Sequence, residues 1–333
     1  MPTRLAPSRS SLIWVGIAIL YVVWGSTYLG IRIAVETIPP FLLAGARFGL
    51  AGVVILGVAL VRRRGRIPFP SRSEWRDMTI IGAALMAGGM GLVALGEQTV
   101  PSGIAALLIA LLPMWVAILG RAFFGERLPR IAIAGVALGL VGVGILVGPT
   151  GSSAETFNPG GILALLISPI SWACGSLYSA HRARLPKDPL VATGGQMLAG
   201  AAILLVLAAL KGEYAGFHID AVSPESLSAF FYLTVVGSLI AFTAYVWLLG
   251  VAPLPMIATY AYVNPIVAVV LGAIVLQEPI TPRTVVAGAV IIVGVALIIT
   301  ARGRLLSAAR RDGAERNAEP AMRATAAESD AAA

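Results

Sequence analysis

The side chains of this chain that could bind a solute are tryptophan, tyrosine, serine and asparagine residues set inside long apolar segments. Aromatic rings can enclose an apolar or ring-bearing molecule, while their N–H and O–H groups orient it. Because tryptophan and tyrosine also concentrate at membrane surfaces, that alternative stays open for each aromatic residue. The residues suited to line a cavity are Trp24, Ser26, Tyr28, Trp115, Trp172, Ser176, Tyr178, Tyr245, Trp247, Tyr260, Tyr262 and Asn264.

Asn264 in this set has a specific requirement, and two charged residues, Arg47 and Glu97, are further candidates. An amide inside hydrocarbon needs a hydrogen-bond partner, and Asn264 stands beside Pro265, which frees a backbone carbonyl. Arg47 follows Pro40 by seven residues, so its Cα would lie on the order of 10 Å below the membrane surface. It either extends back to that surface or faces a wet cavity. Glu97 ends an apolar segment, where a solvated loop acid is the favoured interpretation and a charge role at the cavity the alternative.

Catalytic or metal-binding groups are not apparent in the sequence. The two histidines, His181 and His218, lie in loops on opposite sides of the apolar segments, and neither H-E-x-x-H nor G-x-S-x-G occurs. The single cysteine, Cys174, can form neither an internal disulfide nor a cysteine metal site. We therefore predict no catalytic residue, no metal and no cofactor.

The composition places these residues in a membrane protein. Hydrophobic residues make up 58% of the chain and charged residues 12%, against about 45–50% and 25% in soluble domains. The apolar runs approach the ~20 residues that a membrane-spanning helix needs. The sequence predicts an all-α integral membrane protein with ten transmembrane helices, at Leu12–Ile31, Pro40–Val61, Thr79–Gly96, Ser102–Phe124, Ile131–Val147, Gly161–Ala180, Val191–Leu210, Leu227–Leu249, Met256–Leu276 and Val285–Thr300.

An internal repeat organises the ten predicted helices. Pro101–Glu126 and Pro253–Glu278 share a proline start, an internal proline and a final glutamate, each pair 152 positions apart. Five helices a unit would make the second unit enter the membrane from the other side, so we predict two inverted five-helix repeats, 12–148 and 161–300. The internal prolines, Pro113 and Pro265, each release a helix carbonyl and are predicted hinges. A pair of G-x-x-x-G patterns within 135–148 predicts close helix packing.

The basic residues predict the orientation. With the N-terminus in the cytoplasm, 20 of the 24 lysines and arginines fall on the cytoplasmic side, while Arg32, Lys211 and Arg283 face outward. Both termini, the N-terminal segment 1–11 and a disordered tail 305–333, are then cytoplasmic. The net charge of +8 is a topology signal that favours contact with membrane lipids and no nucleic acid. The oligomeric state is left open, and a monomer is compatible with the sequence.

Several segments are similar to a known family. WGSTYLGIRIAVETIPP, GEQTVPSGIAALLIALLPMWVAIL, FGERL and YVNPIVAVVLGAIVLQEPIT resemble the drug/metabolite transporter superfamily, in particular its ten-helix EamA-type permeases of bacterial inner membranes. The resemblance spans residues 12–300 and implies an exporter of metabolites or amino acids, with a central cavity walled by helices one, three, four, six, eight and nine. The four-helix multidrug relatives carry a glutamate in their first helix. Leu12–Ile31 has no acid, which puts proton coupling by that route in doubt.

The expected function is a secondary transporter that exports small amphipathic, amino-acid-like solutes across the inner membrane by alternating access. The alternative is a non-transport membrane protein, either a lipid-modifying enzyme or a structural scaffold. With Arg47 as the one charge embedded in the spans, neutral, zwitterionic or weakly anionic solutes are expected over organic cations.

Overall fold

The computed structural model describes residues 9–65, 69–126, 128–148, 158–252, 254–301 and 303–304. Within them all regular structure is helical, and nine helices are long and apolar enough to cross a membrane, with a shorter apolar tenth. The all-α membrane fold class is confirmed. The expected tail 305–333 and most of the expected segment 1–11 lie outside the described residues. The helices are α1 (Ser11–Ala34), α2 (Pro40–Arg62), α3 (Arg72–Glu97), α4 (Ser102–Phe124), α5 (Arg130–Val147), α6 (Pro159–His181), α7 (Pro189–Leu210), α8 (Pro224–Tyr245), α9 (Tyr260–Val275) and α10 (Pro282–Ala301).

Helix α3 begins seven residues before the predicted start at Thr79. Its first two turns are polar, so an apolar pattern does not detect them. A capping box fixes this start, because Glu74 N–H donates to Ser71 Oγ at 3.3 Å and Ser71 N–H donates to the Glu74 carboxylate at 2.7 Å.

Three of the long helices contain a stretch of π-helix. These stretches are Leu20–Trp24 in α1, Ala83–Gly91 in α3 and Leu233–Ile240 in α8. A π-helical turn shifts the hydrogen-bond ladder by one residue, which leaves carbonyl groups to be satisfied by other donors, and such turns occur often at functional sites. The sequence predicts none of the three stretches.

The two spans that contain the repeated prolines, Pro113 and Pro265, are each interrupted before that proline. In α4 a turn at Ala110–Leu111 separates Ser102–Ile109 from a second helix that begins at Leu112, so Pro113 lies in the first turn of the second piece. The predicted span Met256–Leu276 is divided into Leu254–Ile257 and α9. The expectation of a proline inside a continuous helix is therefore wrong for Pro113, whereas Pro265 does lie inside α9.

Helices of the first five pack against helices of the last five. α2 packs along α7, α4 against α9, α1 against α8, and α3 against α6. α5 meets α10 where glycines allow the backbones to approach, since a Cβ at Gly135 would lie 2.5 Å from the Gly294 carbonyl oxygen. The contact agrees with the packing predicted from the first G-x-x-x-G pattern, whereas a Cβ at Gly144 of the second pattern would meet nothing within 4 Å.

The α2–α7 pair is tied at both ends by side chains. At the end where α2 begins, the Glu213 carboxylate accepts from the backbone N–H groups of Phe41 and Leu42, each at 3.0 Å. At the other end, Arg63 Nε donates to the Asp188 carboxylate at 2.9 Å. Burial disfavours the charged form of Asp188, but the hydrogen bonds from Arg63 and Leu190 N–H outweigh it and hold the pKa of that carboxyl below its usual value.

The three basic residues expected on the outer side all meet polar groups at the end of the bundle where α2 and α4 begin, called the distal end. Arg32 Nη1 donates to the Glu97 carbonyl oxygen at 2.9 Å, and Arg283 Nε donates to the Ile145 carbonyl oxygen at 2.5 Å. Both therefore bind C-terminal carbonyls of a helix, where a positive charge is favourable. Lys211 lies 3.3 Å from the Glu213 carboxylate.

Candidate functional site

Three aromatic rings from both halves of the chain meet at the π-helical stretch of α1. The Trp24 ring centroid lies 5.3 Å from that of Tyr245 and 4.9 Å from that of Tyr260, and the Tyr245 and Tyr260 centroids are 6.4 Å apart. The two contacts of Tyr260 are edge-to-face, the geometry that aromatic quadrupoles favour. These three residues are called the aromatic cluster. The sequence predicts each as a cavity residue, and the tertiary structure brings them together.

Asn264 joins α9 to the same stretch of α1. It is buried, and with its amide nitrogen turned toward the two carbonyls it donates to Tyr260 O at 3.1 Å and Tyr21 O at 3.3 Å. The expected need for a backbone carbonyl is thus met, though by different carbonyls than the one that Pro265 frees. Nearby, the Tyr21 hydroxyl lies 2.5 Å from Thr259 Oγ1, at the turn before α9.

Serine hydroxyls satisfy carbonyls of the π-helical stretches in α1 and α8. Ser26 Oγ lies 2.7 Å from the Val22 carbonyl oxygen and 2.5 Å from the Tyr232 hydroxyl of α8. Ser238 Oγ donates to Leu233 O at 3.1 Å. Ser26 is therefore committed to helix contacts, which is different from the predicted role of lining a cavity.

The π-helical stretch of α3 is satisfied by α6 instead. Ser168 Oγ donates to Gly89 O at 3.0 Å, and Ser171 Oγ donates to Ala84 O at 2.9 Å. Trp172 packs directly on this stretch, because a Cβ at Gly89 would lie 2.7 Å from the Trp172 ring. Glycine at position 89 thus makes room for the indole.

Arg47 lies inside the bundle. Its side chain is buried, and Nε donates to Ser238 Oγ at 3.0 Å. The guanidinium also lies over the Phe48 ring, 4.7 Å from its centroid. Its burial makes extension to the membrane surface wrong, and a position facing a wet cavity stays a prediction. Arg47 thereby connects α2 to the π-helical stretch of α8.

Glu97 is fully buried, so the favoured interpretation as a solvated loop acid is wrong. Neither of its carboxylate oxygens has a hydrogen-bond partner among the residues that the structure describes. The charged side chains that act on it are Glu278, Arg32 and Arg47. Its burial arises because the end of α3 packs against α1, α2 and α6.

Of the other candidates, Tyr28 is half-buried on α1 and packs against the hydrophobic core. The indole nitrogen of Trp115 is buried without a hydrogen-bond partner in the described part of the chain. Ser176 is half-buried on α6. Trp247, in the helix Ala241–Val251 that continues α8, is 41% exposed and packs beside Gly16 of α1, where an added Cβ would lie 3.3 Å from its ring.

Tyr178 has a different role from the predicted one. Its hydroxyl donates to the Asp77 carboxylate at 2.8 Å, and Arg184 N–H donates to the same carboxylate at 2.7 Å. Asp77, which is fully buried, also accepts from Arg76 Nε at 2.9 Å. Tyr178 therefore fixes the end of α6 to the start of α3, and its hydroxyl is occupied.

The sequence does not identify several residues that build the site. They bind backbone carbonyls of the π-helical stretches or pair hydroxyl groups between helices, and neither property has a signature in residue type or spacing. Serine inside an apolar helix is the one signal that could have drawn attention to some of them. The residues are Tyr21, Ser168, Ser171, Tyr232, Ser238 and Thr259.

Comparison with known proteins gives relatives over nearly the whole chain. The chain is 37% identical over 283 residues to "Uncharacterized inner membrane transporter YedA" of Escherichia coli, which covers 84% of this chain and 88% of that protein. It is 25% identical to "Uncharacterized transporter YvbV" of Bacillus subtilis, over 92% of this chain and 96% of that protein. It is also 22% identical to an "Uncharacterized transporter" of Archaeoglobus fulgidus, over 87% of this chain and 99% of that protein.

A solved crystal structure shares the fold. It superposes with a TM-score of 0.59 at 23% sequence identity and covers 88% of this chain and 99% of that one. The sequence profile of one family matches the chain twice, over residues 12–148 and 159–300. Together the two matches take in the aromatic cluster, Asn264, Arg47 and Glu97. The chain belongs to the EamA-like transporter family.

Proposed function

We propose that this protein exports small amphipathic, amino-acid-like solutes across the bacterial inner membrane by alternating access. Family membership favours transport over the lipid-modifying enzyme and the scaffold. The inner membrane is supported by the printed name of the Escherichia coli relative and by the apolar helices. The N- and C-termini lie in the cytoplasm in this proposal, as the distribution of basic residues predicts.

The observation that carries the proposal is the aromatic cluster with Asn264. Trp24 belongs to the first five helices, whereas Tyr245, Tyr260 and Asn264 belong to the last five. Transporters built from inverted repeats bind their solute between the repeats, near interrupted helices, and move the repeats about that site. A movement between the halves would rearrange this group of side chains directly.

The pairing of helices supports two inverted repeats. α2 packs along α7 and α4 against α9, so two helices of the first half meet the helices at the same positions in the second half. When each helix is matched with the helix five positions away in the other half, the α1–α8 pair corresponds to the α6–α3 pair, and both pairs are in contact. Helices α3 and α8, which correspond in this matching, both contain a π-helical stretch.

The chemistry of the site favours neutral or zwitterionic solutes. Aromatic faces can hold an apolar side chain, and Arg47 can attract a carboxylate through its buried guanidinium. Aromatic quadrupoles attract cations by only about 0.5–2 kcal/mol, which gives an organic cation little against its desolvation.

Counterflow in proteoliposomes tests this function. Purified protein is reconstituted, and exchange of labelled leucine is measured against unlabelled neutral amino acids, monocarboxylates and lipophilic quaternary ammonium compounds. We expect neutral amino acids to compete best and W24A to reduce exchange at least tenfold. W247A is the matched control, because Trp247 is 41% exposed and lies outside the aromatic cluster, and it should exchange like the parent protein. Best competition by quaternary ammonium compounds, or exchange by W24A at the parental rate, would contradict the proposal.

A further inference from the structure

The Glu97 carboxylate is an acidic group whose position the proposed solute site leaves unexplained. It ends α3 at the distal end, with zero exposure. Both Oε1 and Oε2 are inaccessible to water and lack any hydrogen-bond partner over the described ranges. Buried polar atoms nearly always have a hydrogen-bond partner, so two oxygen atoms without a partner on one carboxylate require an explanation.

The neighbouring cations are committed to other acceptors. Arg32 of α1 donates to the backbone carbonyl oxygens of Glu97 and Gln98, at 2.9 and 3.3 Å. Arg47 of α2 donates to Ser238. Among the described residues, neither guanidinium lies within 4 Å of the Glu97 carboxylate as an ion pair.

The other groups that face Glu97 carry no positive charge that could compensate an ionised carboxylate. Glu278, in the connection after α9, is the largest electrostatic influence and carries the same sign. Its own oxygens accept hydrogen bonds from Ser102 and Gly103 at the start of α4. Tyr28 of α1 is the other titratable neighbour. The half of α6 that packs on the end of α3, residues 159–168, contains no titratable side chain.

An ionised carboxylate in this position would be desolvated, without donors and beside a like charge. The free energy of desolvation is large, and a group so placed takes up a proton instead of remaining charged. If the distal end opened, water would reach Glu97 and supply the hydrogen bonds that the closed bundle denies. The stable protonation state would then change with the conformation.

We propose that Glu97 is a proton-binding site that couples the opening of the distal end, and with it solute transport, to the pH at the distal surface. With the distal end closed, as here, Glu97 carries a proton on one oxygen. When that end opens, the O–H bond breaks, the proton passes to water at the distal surface and the hydrated carboxylate remains. Closing again requires uptake of one proton from water. This inference rests on the alternating access of the proposed function, but it assigns a ligand and a residue that the function does not require.

Infrared spectroscopy of the purified full-length protein tests the protonation state without any solute. We expect the carbonyl stretch of a protonated carboxyl at neutral pH, lost in E97Q and kept in E278Q, where the replaced group accepts three hydrogen bonds. A spectrum without that band, or an identical band in E97Q, would overturn the proposal.

A second measurement uses only the parent protein, in case E97Q does not fold. Dicyclohexylcarbodiimide reacts with protonated carboxyls in apolar surroundings, and mass spectrometry of peptides identifies the modified residue. We expect modification of Glu97 and not of Glu36, an exposed acid at the same end. Modification of Glu36 with Glu97 untouched would count against the proton site.

Coupling of transport to pH is measured in proteoliposomes with labelled leucine. If leucine does not exchange, the solute from the competition panel that does exchange replaces it. We expect a pH gradient of one polarity to accelerate transport severalfold in the parent protein, and the ratio of rates with and without the gradient to fall to one in E97Q. A parent protein that exchanges solute but ignores both polarities would refute coupling and leave the proposed function intact. Failure of every panel member to exchange would refute the proposed function, whatever the infrared result.

Discussion

The carboxylate of Glu278 accepts hydrogen bonds from the backbone N–H and the hydroxyl of Ser102, at 2.8 and 3.0 Å. Gly103 N–H donates to the same group at 3.2 Å. The first N–H groups of α4, which have no partner inside the helix, are thus satisfied by a residue that follows α9. Glu278 and Glu213 together join the two halves at the distal end, each by binding the N-terminus of a helix in the other half.

Replacement of Glu278 by alanine should therefore destabilise the protein. We expect E278A to lower the free energy of unfolding by about 1–3 kcal/mol, because two backbone N–H groups lose a charged acceptor. Denaturant unfolding in detergent, followed by tryptophan fluorescence, measures the difference. E36A, which removes an exposed acid at the same end, is the control and should unfold like the parent. Equal midpoints for E278A and the parent would contradict this assignment.

The second prediction concerns the turns before Glu126 and Glu278. In both, the glutamate N–H bonds the carbonyl six residues back, Gly120 O at 3.2 Å and Gly272 O at 3.1 Å. The turn needs a left-handed residue, which is Gly125 at φ 65° in one copy and Gln277 at φ 55° in the other. Q277G should stabilise and G125A destabilise, each by about 1 kcal/mol, because only glycine adopts this conformation freely.

Thermal unfolding of Q277G, G125A and the double variant measures both effects. Space does not limit G125A, since no heavy atom lies within 4 Å of the added Cβ, so its effect reports backbone strain. Shifts of the same sign for the two single variants would show that the turns are not equivalent.

Tyr178 should act on stability and little on solute affinity. Y178F removes one hydrogen bond to Asp77 and is expected to lower the free energy of unfolding by about 1 kcal/mol, with the KM of exchange unchanged. D77A leaves Arg184 N–H and the Tyr178 hydroxyl without their acceptor and should destabilise by about 3 kcal/mol or more. A several-fold rise in the KM of Y178F at parental stability would return Tyr178 to the cavity.

Pro113 and Pro265 are expected to maintain the interruptions that alternating access uses. P113A allows α4 to become continuous through Ala110–Leu111, and P265A restores a hydrogen-bond donor inside α9. Both variants should fold and exchange solute several-fold more slowly. P169A is the matched control, because Pro169 lies inside the uninterrupted helix α6, and it should exchange at the parental rate. Parental rates in P113A and P265A would show that the prolines are not hinges.

The orientation of the chain is tested by cysteine labelling in cells. After replacement of Cys174, single cysteines are introduced at positions 64 and 153, and a membrane-impermeant reagent is added to intact cells. We expect labelling at 153 and none at 64, because residues 62–76 belong to the basic cytoplasmic side. Labelling at 64 with 153 protected would reverse the proposed orientation.

The sequence by itself determined the all-α membrane class and the approximate positions of the apolar helices, and its spacing predicts the two repeats. Those features follow from the composition and length of apolar segments and from spacing along the chain, which need no knowledge of which helices meet. The sequence also singled out Trp24, Tyr245, Tyr260 and Asn264 as candidate site residues, because aromatic and amide groups inside apolar segments can bind a solute.

The tertiary structure alone decided which polar groups are satisfied. Glu97 has the sequence context of a loop acid and becomes fully buried because α1, α2 and α6 close over the end of α3. Tyr178 has the context of a cavity residue and instead binds Asp77. Hydrogen bonding and burial of a side chain depend on neighbours distant in the chain, and a π-helical shift depends on donors from those neighbours, so residue type and spacing cannot specify them.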